Sequence, residues 1–429
     1  MAKNPNKVTM WQSLRNMWKV GDIRKKLIYT FLMLLLYRLV GVIPCPGIDY
    51  AKVVSASGTD LPLLQLVNMM TGNSFSNMTL MAMGVTPYIN SSIIMQLLTI
   101  AIPALERLSK SGPEGQKKIS QITRYVTIGL AVLQAIGLVS SLGYIKSGAF
   151  NLIMVGVCMA GGTALAMWIG ERITEKGIGN GISLLIFAGI ISNLFTGFIN
   201  LFASAFSATS ITPWLQLLGV IVVALVMIAV VTFVDMGVRR IPVNYAKRVS
   251  GRKMYGGQSS VIPLKVVSVG VLPLIFAYSF LSFPATIIQL AGGTSSSAYI
   301  WWNTYMNSYS PLYLIILALL IIAFTYFYSA ISFQPDEMSK NIQQQGGAIP
   351  SVRPGKPTAD YLTRINGRLT LFAALFLAVL ATVPTLFTLG LQTTIPFAAS
   401  SLLIAVSVVL ETKRQLDDLL ESRNYDTIA

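Results

Sequence analysis

The stretch RRIPVNYAKR, Arg239–Arg248, places Arg239, Arg240, Lys247 and Arg248 within ten residues, and Arg252 and Lys253 follow closely. Guanidinium and ammonium groups so spaced suit the binding of phosphates or carboxylates. The chain offers little other chemistry. Histidine is absent, which removes the commonest acid–base and metal-binding side chain. Cys45 and Cys158 stand in no recognisable pattern and read as small apolar residues; a disulfide is not expected. GIGNG, Gly177–Gly181, lacks the Lys-Ser/Thr that completes a phosphate loop, and reads as a tight turn with an uncluttered helix start. No nucleophile–base pair and no metal constellation emerges. An enzyme is therefore not expected, nor a cofactor or metal.

The basic stretch lies between two long apolar runs, Trp214–Val234 and Val261–Leu281. The whole chain is 54% hydrophobic and only 11% charged, with a mean hydropathy of +0.65 over 429 residues. A soluble surface needs more charge than that. Runs of about 20 apolar residues read as membrane-spanning helices. Ten can be drawn: Leu27–Ile43, Leu80–Ile102, Ile119–Leu142, Leu152–Ile173, Ile182–Phe202, Trp214–Val234, Val261–Leu281, Pro311–Phe333, Leu369–Leu391 and Ile395–Leu410. No segment reads as alternating with period two, which argues against a barrel. The first 26 residues are basic and polar, with Trp11 and Trp18, and suggest an interfacial helix rather than a secretory signal.

The net charge of +16 could suggest nucleic acid. Its distribution says topology first: 29 of 32 basic residues fall on one side of the ten-span arrangement. Lys52 and Lys146 fall on the other, and Arg38 lies inside the first span, where it can snorkel or bond to carbonyls. The positive-inside rule then puts both termini in the cytosol. Ten spans divide into five and five, so any structural repeat would be inverted. Between the first two spans, Thr59–Gly72 reads as a short helix, with Pro62 in its first turn. It is too short to cross the bilayer; it either dips into the protein or lies on the outer surface. The spans hold almost no ionisable groups, whereas an ion-coupled carrier usually keeps one near the midplane. Carrier, channel and scaffold remain open from the residues alone.

Seven stretches carry a resemblance: YRLVGVIPCPGID (37–49), GVTPYINSSIIMQLLT (84–99), KKISQITRY (117–125), GERITEKGIGNGISLLIFAGI (170–190), RRIPVNYAKR (239–248), VIPLKVVSVGVLPLIFA (261–277) and GGAIPSVRPGKPT (346–358). In them the chain resembles the SecY/Sec61-alpha family of protein-conducting translocon channels over nearly its whole length. The resemblance implies an all-α polytopic membrane protein, ten transmembrane helices in two inverted five-helix halves around an hourglass pore. The halves would be 27–206 and 207–412, with a cytosolic N-terminal segment 1–26, cytosolic loops 235–260 and 334–368, and a cytosolic tail 413–429. It makes Thr59–Gly72 the plug, with Pro62, Leu63, Leu64, Leu66, Val67, Met69 and Met70 as its body.

The family's pore ring carries over to Val85, Ile89, Ile182, Ile186, Ile275 and Ile404. Positions i and i+4 share a helix face, so Val85 with Ile89 and Ile182 with Ile186 can each point at one axis. A narrow collar of branched alkyl groups offers water no hydrogen bonds and gates by dewetting. By spacing alone, lipid contact or helix packing is the default for such pairs. The lateral gate carries over to Ile93, Gln96, Val267 and Pro273, and the docking surface for SecA or the ribosome to Arg239, Arg240, Lys247, Arg248, Arg252, Lys253 and Arg353. The implied partners are SecE and SecG small subunits, the SecA ATPase, the ribosome through its RNA phosphates, signal peptides and nascent chains, and membrane lipids. Three positions depart from the family's habit: Val85 for isoleucine, Val267 for a gate asparagine, and Ser351 for glycine. An interhelical amide bond in a membrane is typically worth about 0.6 kcal/mol. Restoring it by Val267→Asn is expected to raise the signal hydrophobicity that export requires. The runner-up readings are a secondary transporter and an insertase scaffold without a through-pore.

Overall fold

The computed structural model describes residues 20–55, 71–142, 148–207, 212–245, 248–250, 253–255, 259–268, 270, 272–292, 296–306, 310–391 and 399–426. The short-helix residues Pro62, Leu63, Leu64, Leu66, Val67, Met69 and Met70 lie outside them, as do the N-terminal segment 1–19, Lys247 and Arg252. The chain divides into two compact units: Met1–Asn200 with Ala285–Trp301 and Val408–Ala429, and Leu201–Pro284 with Trp302–Ser407.

The first unit is built from α1 (Gly21–Val40), α2 (Tyr50–Ser55), α3 (Thr86–Ala101), α4 (Pro103–Lys110), α5 (Pro113–Leu142), α6 (Ala149–Lys176) and most of α7 (Gly181–Ser207). Between α3 and α4 the axis turns by 102° at Ile102, which is extended at φ −107° and ψ 111°. Pro103 causes the break: a proline disfavours the helical conformation in the residue before it, yet suits the first turn of a new helix. At one end of the unit Cys45, Ile48, Phe75, Met78, Ala135, Val139, Val155 and Met159 form a common core. Polar ties close the loops over it. The Tyr50 hydroxyl donates to the carbonyls of Cys45 (3.0 Å) and Met78 (3.1 Å), and Pro44 bridges Thr79. A glycine lets the backbone of α6 approach the segment before α3: a Cβ at Gly162 would lie 2.0 Å from the Leu80 carbonyl oxygen.

The second unit holds α8 (Thr212–Asp235), β1 (Val238–Tyr245), β2 (Arg248–Ser250), β3 (Lys253–Tyr255), β4 (Ser259–Lys265), α9 (Leu272–Gly292, through Pro284), α10 (Ser297–Tyr305, from Trp302), α11 (Pro311–Ser332), α12 (Pro335–Gln344), β5 (Gly347–Ala348), α13 (Lys356–Leu391) and the first part of α14 (Ala399–Asp426). Its apolar core joins Val231, Leu274, Ala277, Leu281, Leu317, Ile321, Leu377 and Ala381. Inside it, the Ser329 and Thr370 hydroxyls lie 2.7 Å apart, and Asn366 Nδ2 donates to Ser329 Oγ at 2.9 Å. That node satisfies the polar groups where α11 meets α13.

Six described helices are long and apolar enough to cross a membrane, or seven if the bent pair α3–α4 is one span. The other expected spans fall on helices that are more charged or shorter. The first carries Asp22, Arg24, Lys25, Lys26 and Arg38. The seventh begins later than expected. Val261–Lys265 belongs to β4, and the helix starts only at Leu272. The expectation that nothing alternates with period two is corrected by β1, where Ile241 and Val243 are buried and Arg240, Pro242 and Asn244 exposed.

Candidate functional site

The residues singled out by spacing fall at helix starts. Val85 caps α3, and the Ile89 N–H donates to its carbonyl at 3.1 Å, so the two stack one turn apart. Both are buried, at 2% and 8% exposure, while Ile93 is half-buried and Gln96 exposed one and two turns on. At the head of α7, Asn180 Oδ1 accepts from the N–H groups of Ile182 (3.1 Å) and Ser183 (3.3 Å), a side-chain cap. Ile186 is buried at 3%; Ile182 is half-buried against α6, where a Cβ on Gly170 would lie 3.0 Å from its Cγ1. These four belong to the first unit. In the second, Ile275 on α9 is half-buried and Ile404 on α14 is buried at 6%. None of the six is exposed. Pro273 is buried in the first turn of α9. Val267 is buried too, but it stands in the turn between β4 and α9 rather than in the helix where the span was expected.

GIGNG is indeed a turn. Gly179 adopts φ +85°, and the Ile178 N–H donates to Thr30 Oγ1 at 3.1 Å, tying the turn to α1. A Cβ on Gly181 would lie 1.8 Å from the Gly170 carbonyl oxygen, so this helix start touches the backbone of α6. Arg38 bonds to carbonyls, as its place in an apolar helix requires: its guanidinium donates to Gly72, Ala188 and Gly189. Spacing alone could not name those partners, because two of them lie 150 and 151 residues away.

The basic connection is an arm built of strands. β1 and β4 pair antiparallel from Val238↔Lys265 to Asn244↔Ser259, and β2 and β3 pair beyond them, with Arg248 opposite Tyr255 and Lys253 opposite Ser250. Arg239 and Arg240 are exposed on β1. Their strand neighbours Ile241 and Val243 enter a small core with Leu264, Ile342, Ile349 and Leu362, which anchors the arm. Sequence reasoning expected an all-α chain and foresaw none of these strands, the third among them. β5 joins the other edge of β1, giving the order β4-β1-β5, so the second basic connection is sewn to the first. Tyr245 donates its hydroxyl to Gln345 Oε1 at 3.4 Å beside this seam. Arg353 is exposed, and its carbonyl accepts from Thr358 Oγ1 at 2.9 Å as α13 begins. Two residues before it, Ser351 adopts φ +67°, a left-handed conformation that favours glycine.

Comparison with known proteins agrees in sequence and in fold. A family model described as SecY matches residues 79–413. The protein translocase subunit SecY of Streptomyces galbus is 42% identical, covering 95% of this chain and 97% of that one. That of Mycobacterium tuberculosis is 40% identical, covering 94% and 96%. Among solved structures, a protein-conducting channel superposes with a TM-score of 0.67 at 19% identity, covering 94% of this chain and 96% of that one. Sec61 from a canine ribosome–channel complex of the endoplasmic reticulum does so with a TM-score of 0.66 at 18% identity, with the same coverage. At such identities the superposition speaks for the fold; the sequence relationship, running almost end to end, speaks for descent. The chain belongs to the SecY family.

Proposed function

We propose that this chain is the channel subunit through which unfolded secretory proteins cross the bacterial cytoplasmic membrane and from which membrane proteins leave sideways into lipid. The observation that carries the reading is the near end-to-end match, at 40–42% identity, with subunits named as protein translocase. The aliphatic pairs at the heads of α3 and α7, buried except for the half-buried Ile182, suit it: a ring of such groups excludes water and is indifferent to the side chain that passes. In full, ten helices form two inverted halves with both termini in the cytosol, in keeping with the one-sided charge. Val85, Ile89, Ile182, Ile186, Ile275 and Ile404 form the constriction, and Thr59–Gly72 the plug. Ile93, Gln96, Val267 and Pro273 border the lateral gate that an apolar signal helix opens. The channel supplies no energy. SecA with ATP, or the elongating ribosome, drives the chain forward while docked on Arg239, Arg240, Lys247, Arg248, Arg252, Lys253 and Arg353. SecE and SecG complete the membrane complex. The test is reconstitution: purified chain with SecE in liposomes, plus SecA, ATP and a preprotein, yields protease-protected substrate. ATP-dependent protection absent where a working translocon shows it removes the reading.

A further inference from the structure

Arg38 is the one cation within the apolar part of α1, half-buried in the helix's last turn. Its guanidinium donates to three backbone carbonyls and bonds nothing else among the contacts described: Gly72 at 3.4 Å, Ala188, and Gly189 at 3.4 Å. A planar fork spreads over several acceptors in a way that a lysine ammonium cannot. Gly72, at φ +65°, is shaped to the contact. A Cβ there would lie 2.1 Å from Arg38 Nη1 and 2.6 Å from Nη2.

Of the two backbones held in this way, one is the seal-bearing helix α7 and the other is the segment that leads into α3. Ala188 follows Ile186 by two residues on α7. Gly72 opens the segment that leads to Val85, and that segment is fastened to the exit of α1: Ser74 Oγ donates to the Gly41 carbonyl at 3.3 Å, and the Leu80 N–H to the Ile43 carbonyl at 2.9 Å. Gly84 at φ +52° then turns directly into Val85. One guanidinium therefore lies between the approach to the Val85–Ile89 pair and the helix of the Ile182–Ile186 pair.

We propose that Arg38 is a positioning residue for the seal: it holds the backbone at Gly72 and at Ala188–Gly189 at a fixed separation, and the resting channel is tight only while it does so. The inference rests on the channel reading. The aliphatic tips provide closure, and Arg38 sets where two of their helices stand.

The experiment measures resting ion conductance in planar bilayers, with the SecE-containing complex and without SecA or substrate. Export of a preprotein with a shortened apolar signal and the melting temperature of the complex are measured alongside. Arg38→Lys is expected to raise resting conductance several-fold and Arg38→Met further, each with the weak-signal substrate better exported and the melting temperature little changed. Gly72→Ala, which displaces the guanidinium without removing it, is expected to leak like Arg38→Lys. Should Arg38→Met fail to insert, the other two variants carry the test. Ser74→Ala breaks a neighbouring bond but leaves the guanidinium alone, and is expected to stay tight. Unchanged conductance in Arg38→Lys and Gly72→Ala overturns the proposal. So does equal leakage in Ser74→Ala, or leakage that only tracks lost thermal stability. A wild-type complex that protects no preprotein sinks the channel reading instead, which separates the two failures.

Discussion

Asn244 on β1 lies opposite Ala348 on β5, and this register joins the two basic connections into one sheet. The next pair, Tyr245 and Gly347, is packed tightly. A Cβ on Gly347 would lie 2.9 Å from Tyr245 Cε1 and 3.0 Å from Ile342 Cγ2 and Val243 Cγ1. Gly347→Val therefore overpacks the seam, at a cost of about 1–3 kcal/mol. Because β5 has only two residues, that cost falls mainly on its pairing. Limited proteolysis of the complex should show faster cleavage within residues 346–355 while the transmembrane helices keep their melting temperature. Unchanged cleavage would mean that the seam does not hold the second connection.

Arg239 and Arg240 sit opposite Leu264 and Pro263 on β4 and are both exposed. A role in setting orientation and a role in docking predict different results for Arg239→Ala with Arg240→Ala. If the pair meets RNA phosphates, ribosome affinity falls and the slope of log affinity against log salt flattens by roughly 1–2, since each lost phosphate contact removes about one released counterion. Ribosome co-sedimentation across a salt series reads this directly. Thermal stability should barely move, because Ile241 and Val243, not the arginines, enter the arm's core. An unchanged slope would leave the pair a topological role only.

Much of this architecture was legible from hydropathy, because a helix in lipid must satisfy its own backbone and so needs an uninterrupted apolar run. Val261–Lys265 shows the limit. VIPLK is as apolar as the start of a span, and composition cannot say that it pairs with Val238–Tyr245 instead. Pro242 and Pro263 both stand in the two-stranded part of the arm, where a missing N–H costs least. At the site, i and i+4 spacing put Val85 and Ile89 on one face, since that follows from helix geometry alone; the burial of that face does not. Carbonyl bonding was one of the two roles, with snorkelling, legible for Arg38; Ala188 as a partner was not, because tertiary packing chose it. Ser351, which the resemblance sets in place of a glycine, takes a positive φ, and no property of serine announces that.

Asn180 and Gly181 set the head of α7 by different means, and their substitutions should differ in kind. Asn180→Ala removes the cap on the Ile182 and Ser183 N–H groups, which costs about 1 kcal/mol. The complex should assemble and melt slightly lower. Gly181→Ala puts a Cβ 1.8 Å from the Gly170 carbonyl and 2.9 Å from Ile173 Cβ, neither of them the flexible end of a side chain. The helix start must move away from α6, and little folded protein is expected in membranes. Equal, mild losses of melting temperature in both would show that this backbone approach is easily relaxed.

Cys45 lies just beyond the end of α1, 1% exposed within the core that holds Ile48, Met78 and Met159. Burial, and then the neighbouring Cys158 thiol, push it up from 9.0 to about 12. Only a thiolate attacks a maleimide, so a thiol held so far above its ordinary value is inert. At pH 8 in intact membranes Cys45 should resist labelling and react at once in detergent that unfolds the chain. Stability should follow the same logic. Below pH 9.0 the folded and unfolded chains both keep the proton, and this thiol adds no slope. Between 9.0 and about 12 the unfolded chain gives it up first, so stability falls as pH rises. Cys45→Ala should remove that alkaline slope while leaving the rest of the pH profile intact. Labelling of Cys45 in native membranes as fast as in unfolded protein would show that the core around Met78 opens far more readily than its packing implies.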